Sequence, residues 1–90
     1  MPLFALICTD RPGHLDTRKA NREAHLAYLR DTGCVAQAGP FLNAAGEMCG
    51  SLVVLDLPGR AEAEAWAAGD PYAKAGLFAD VRIEEWKKVI

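Results

Sequence analysis

His25 is the side chain of this sequence best suited to acid–base chemistry. The chain has two histidines, His14 and His25, and an imidazole titrates near neutral pH without help. His25 lies in a segment rich in Ala, Leu, Arg and Glu, beside Leu26 and Leu29, at the boundary between an apolar stripe and solvent. That position suits a proton carrier, and equally an idle surface histidine. Asp70 stands in Gly69-Asp70-Pro71-Tyr72. An Asp before a Pro reads as a helix N-cap with proline at the first helical position. A capping carboxylate is held rigidly, so it can also orient an imidazole. Arg22 precedes His25 by one turn on nearly the same face. It can bind a carboxylate or oxyanion, or pair with Asp16 or Glu23 on the surface. Gly39-Pro40-Phe41 and Gly50-Ser51 answer a backbone need at a bulge or hairpin, or else set Ser51 and a bulge on the floor of a pocket.

Other chemistries lack their residues. There is no Gly-rich phosphate loop and no G-x-S-x-G elbow. Cys8, Cys34 and Cys49 are odd in number and form no C-x-x-C pair, so they read as small apolar residues in a reducing compartment. His14 and His25 are too far apart for a His-x3-His pair, and no close ligand pair suggests zinc. No metal or other cofactor is expected. Cys–His nucleophilic catalysis is formally available, but no spacing sets a cysteine beside His25.

These residues need elements to hold them. Leu3 to Thr9 is a continuous apolar run, as in a strand covered on both faces, and Asp10-Arg11-Pro12-Gly13 breaks it. Leu15 to about Thr32 reads as a helix, with Leu15, Leu26, Leu29 and Arg22 on one face, stopped by Gly33. Cys34 to Leu42 reads as a second strand interrupted at Gly39-Pro40, an expected bulge or edge. A hairpin over residues 43–47 leads into a third strand, Met48 to Leu57. Ala61 to Ala68 is a short helix anchored by Trp66. Tyr72 to Gly76 suggests one more helical turn, and Ala79 to about Lys87 a fourth strand. The order strand, helix, strand, strand, helix, strand is the split βαβ arrangement: an antiparallel sheet with its helices on one face.

That arrangement leaves the other sheet face bare. In 90 residues a bare apolar face would be a large exposed patch, so the expectation is a homodimer with two-fold symmetry. The net charge of −2 and the scattered basic residues argue against nucleic acid. No apolar run approaches the roughly 20 residues that cross a bilayer. The start, Met1-Pro2-Leu3-Phe4, lacks the features of a signal peptide, which points to a cytoplasmic protein.

Read together, these motifs resemble the YciI-like (YCII-related) family within the dimeric α+β barrel group of ferredoxin-like proteins. The matching residues are Arg22-x-x-His25-Leu26-x-Tyr28-Leu29, Gly33, Ala38-Gly39-Pro40, Gly50-Ser51, Asp70-Pro71-Tyr72-x-x-x-Gly76-Leu77-Phe78 and Val81-x-Ile83-x-x-Trp86. They run nearly end to end, as one domain over residues 1–90. The resemblance implies a homodimer with a pocket beside the sheet and a His–Asp active-site pair, here His25 and Asp70. It sets Ser51 and Gly39-Pro40 near the pocket, with Arg22 and Tyr72 among the substrate-binding residues. The implied activity is cofactor-independent proton transfer, of lyase or isomerase type, on a small cyclic or aromatic molecule. The alternative is a non-catalytic dimer that binds a small metabolite.

Overall fold

The apolar runs become strands and the Ala/Leu-rich segments become helices, in a computed structural model that describes residues 2–90. Met1, the first residue of the amino-terminal stretch read above, lies outside the described residues. The elements are β1 (Leu3–Asp10), α1 (Leu15–Thr32), β2 (Val35–Leu42), β3 (Met48–Asp56), α2 (Arg60–Gly69), α3 (Pro71–Lys74) and β4 (Phe78–Trp86). The sheet order is β2-β3-β1-β4, with every neighbouring pair antiparallel. This is the expected ferredoxin-like α+β arrangement, with β1 and β2 separated by β3 and the helices on one face.

Side chains alternate across a strand, and the helix-covered face carries Phe4, Leu6 and Cys8 of β1, Val53 and Leu55 of β3, and Ile83 of β4. Leu29 of α1 and Ala63 and Trp66 of α2 close over them. The two long helices are tied by polar contacts at their edges. The Tyr28 hydroxyl donates to the Trp66 carbonyl at 2.8 Å, and the Trp66 indole N–H donates to the Thr32 hydroxyl at 2.9 Å. Gly33 ends α1 at φ 68°, the left-handed value that glycine takes without a Cβ clash.

Of the two expectations for Gly39-Pro40, a bulge or an edge, the edge holds and the interruption does not: β2 is an edge strand that runs unbroken through both residues. Its register shifts fall at its ends, between Val35 and Gln37 and between Phe41 and Leu42. As an edge strand, β2 needs ladder donors on one side only, so proline fits without a bulge. Ala5, Ile7, Leu52 and Val54 fall on the opposite sheet face, which no helix covers. Among the described residues, no helix is long and apolar enough to cross a membrane.

Candidate active site

α1 passes obliquely over the end of the sheet where β1 finishes and β4 begins. There it lays Arg18 and His25 inward, two turns apart, both buried. α3 meets them from the other side. Its N-cap is Asp70, whose Oδ1 accepts the Tyr72 backbone N–H at 2.9 Å, and Pro71 fills the first helical position. The same Oδ1 lies 2.8 Å from His25 Nδ1. An ionised Asp70 can only accept, so Nδ1 carries the proton and the lone pair of His25 sits on Nε2. No described residue hydrogen-bonds that nitrogen.

Tyr72 fills the space between. Its ring stacks on the imidazole with centroids 3.9 Å apart and planes 14° from parallel. The Arg18 guanidinium sits 4.7 Å from the centre of the same ring. Arg18 is itself clamped: Nε and Nη2 donate to the Asp10 carboxylate at 2.6 and 2.8 Å, and Nη2 also donates to Ser51 Oγ at 2.8 Å. A fork of this kind fixes both position and direction. Burial opposes the charge on Arg18, but the Asp10 carboxylate more than offsets it and holds the guanidinium above its ordinary pKa. Burial raises the Tyr72 phenol, opposed in part by Arg18 and by Arg22. Cys8, opposite Ser51 in the sheet, is pushed up to about 12, chiefly by burial and then by Asp70. A thiol so reluctant to ionise is a poor nucleophile, which removes the Cys–His alternative at Cys8.

The predicted residues divide into two groups. His25, Asp70, Tyr72 and Ser51 are buried in one cluster. Pro40 lies beside it, paired with Ser51 across the ladder, and Gly39 is paired with Leu52; both are exposed on the edge strand. Arg22 does not join the buried cluster. It is exposed, although its charge is felt by Tyr72. The guanidinium that enters the site is that of Arg18, to which the sequence reading gave no role. The signal was present: Arg18 lies seven residues before His25 and eleven before Leu29, on one helical stripe. An apolar-stripe reading passes over an arginine there, because an arginine is buried only when a partner such as Asp10 neutralises it.

A depression of about 280 Å³ adjoins the Asp10 end of this cluster, lined in part by Asp10, His14, Asn43 and Glu47. Another, of about 270 Å³, runs along β2 past Gly39, Pro40, Phe41 and Leu52. Neither is lined by His25 or Asp70, so the polar cluster rather than a cavity of the single chain marks the site. Among the described residues, no three His, Cys, Asp or Glu side chains converge as metal ligands would.

Known proteins share this framework. The profile of the YCII-related domain matches residues 2–87. The protein YciI of Escherichia coli O6:H1 is 35% identical over 97% of this chain and 98% of its own length. An uncharacterized protein of Haemophilus influenzae is also 35% identical, over 96% of this chain and 97% of its own. Among solved structures, the 5-chloro-2-hydroxyhydroquinone dehydrochlorinase TftG of Burkholderia phenoliruptrix AC1100, in complex with 2,5-dihydroxybenzoquinone, matches with a TM-score of 0.88 and 37% identity. That match covers 94% of this chain and 93% of TftG. An antibiotic biosynthesis monooxygenase matches with a TM-score of 0.62 at 11% identity and shares the fold alone.

Proposed function

The chain belongs to the YCII-related family, and from that footing we propose that it is a small acid–base enzyme acting on a hydroxylated ring, by elimination or isomerisation. One observation carries the reading: a buried His25–Asp70 pair at 2.8 Å whose Nε2 has no partner among the described residues. The likeness to a dehydrochlorinase supports it.

In this scheme Nε2 takes the proton of a ring hydroxyl. Asp70 stabilises the imidazolium that results, through the Nδ1–H bond already in place. The electron pair released from the O–H bond moves into the ring. A ring carbon then takes a proton, which completes an isomerisation; in an elimination a second ring hydroxyl loses its proton and the electron pair so released expels an anion such as chloride from that carbon, leaving a quinone. Both routes conserve electrons and need no added oxidant or cofactor. Ser51 Oγ accepts a hydrogen bond from Arg18, which leaves its own proton to donate to a developing oxyanion. That donor is backed by a fixed positive charge in a dry site, where it is worth most. The substrate enters beside the sheet, where Nε2 of His25 has no partner among the described residues.

Chloride release from 5-chloro-2-hydroxyhydroquinone, the compound named for the structural relative, is the first assay. His25→Ala and Asp70→Asn each reduce turnover by about 10²–10⁴-fold, the usual worth of a positioned acid or base. Undiminished turnover in both variants would sink the scheme. Tight binding of 2,5-dihydroxybenzoquinone without turnover of any hydroxylated ring would assign a binding module instead.

A further inference from the structure

One residue touches every polar member of the cluster except Asp10 and Ser51, and it is almost sealed from solvent. Tyr72 is 1% exposed. Its backbone N–H holds the Asp70 carboxylate, its ring lies flat on His25, and its ring also faces the Arg18 guanidinium. Tyr72 is itself fixed on two further sides. Its carbonyl accepts the Leu77 N–H at 3.1 Å, and Phe78 of β4 meets its ring edge-on at 6.0 Å.

We propose that Tyr72 is the positioning residue of this site: it sets the plane of the His25 imidazole and locks that plane to the Asp70 carboxylate and the Arg18 guanidinium. This rests on the acid–base role of His25 proposed above. The hydrogen bond that Nδ1 donates to Asp70 fixes one point of the imidazole but leaves the ring free to rock about the Nδ1···Oδ1 line. A flat ring at 3.9 Å removes that freedom, because rocking would drive the imidazole edge into the phenol. Nε2 therefore presents its lone pair along one direction, in the imidazole plane, which runs nearly parallel to the phenol. The electron-rich face of the phenol also favours positive charge on either neighbour, so the stack tightens when His25 accepts a proton. Position and charge act together, and misplacement of a base by about 1 Å can cost about 10²-fold in rate.

The experiment compares Tyr72→Phe, which keeps ring and backbone N–H, with Tyr72→Leu, which keeps the N–H and loses the ring. Tyr72→Met, a flexible filler of the same space, stands in if the leucine variant does not fold. Nitrogen-resolved NMR of the imidazole N–H protons needs no substrate, and His14 is the internal control. Wild type and Tyr72→Phe show a slowly exchanging Nδ1 proton on His25; the ringless variant, folded by its amide spectrum, loses it to exchange. In the chloride-release assay the ringless variant loses kcat by at least about tenfold with little change in KM, and Tyr72→Phe restores it. Adding the ringless change to His25→Ala costs nothing more. A ringless variant that keeps both the proton signal and kcat overturns the proposal, as does an additive loss in the His25→Ala background. Asp70→Asn separates this proposal from the one beneath it: if that variant retains the Nδ1 signal and full turnover, the acid–base reading of the dyad fails, whatever Tyr72 does.

Discussion

At the scale of single residues, Asp70 carries two duties on one oxygen, which accepts the Tyr72 N–H and meets His25 Nδ1. The duties can be separated. Asp70→Asn keeps a side-chain carbonyl for the cap and loses the negative charge, so it lowers turnover with little loss of stability. Asp70→Ala loses both, and thermal or denaturant melts show a further cost of about 1 kcal/mol for the cap. Cys8 gives a second test. Its thiol, raised to about 12 from 9.0, stays protonated in the fold where an unfolded chain would release the proton. Its contribution to stability is therefore whole below pH 9.0 and is lost as pH rises from there toward 12. In alkylation with iodoacetamide followed by mass spectrometry, Cys8 reacts last of the three cysteines. The residue scale is also where the sequence was hardest to read. The capping role of Asp70 follows from its neighbour Pro71, a local signal. Its contact with His25, 45 positions away, has no local signal, and only the family resemblance joined them. Arg18 was passed over because burial of a guanidinium depends on a partner from another element, which periodicity does not contain.

At the scale of elements, far more was legible. α1 begins and ends where the helix-forming run and Gly33 place it, and the expected bounds of β1, β3, α2 and β4 differ from the observed ones by a residue or so. Each of these segments agrees with its neighbours in propensity, pattern and stop signal. β2 was read as closely in its bounds, Cys34 to Leu42 against Val35–Leu42, and in its edge place, but its register shifts were not, because they sit in cross-strand pairing rather than in its own residues. Two substitutions test how the elements are joined. Trp66→Ala empties a site 5% exposed and removes the indole donor to Thr32, so denaturant melts show a loss of about 3–5 kcal/mol. Gly50→Ala, near the start of the interior strand β3, would set a Cβ into the Cys8 backbone carbonyl. Backbone there has no room to yield, so the variant is destabilised and its folded fraction falls in the same assay.

At the scale of the whole molecule, the sheet face that no helix covers is only partly open, since Ala5 and Val54 are already buried on it. Ile7 and Leu52 are half-buried in the single chain, on the face away from His25, and the proposal is that a second copy covers them. Ile7→Glu then shifts sedimentation velocity from dimer to monomer. A wild-type chain that sediments as a monomer at micromolar concentration removes the dimer from the scheme and leaves the dyad as the part to test alone. The two depressions along β2 and beside Asp10 miss His25, so the outline of the single chain does not trace the substrate pocket.

The division between buried and exposed residues around the site has an evolutionary consequence. The groups packed around His25, namely Arg18, Asp10, Asp70 and Tyr72, are linked to one another, so a change in one is felt by its neighbours. Arg22, Gly39, Pro40 and Phe41 stand at the margin with exposed side chains or backbone and carry none of that load. Under the proposed function, a gene duplicate can therefore trade its marginal residues, drift toward a differently substituted ring, and inherit the buried cluster unaltered.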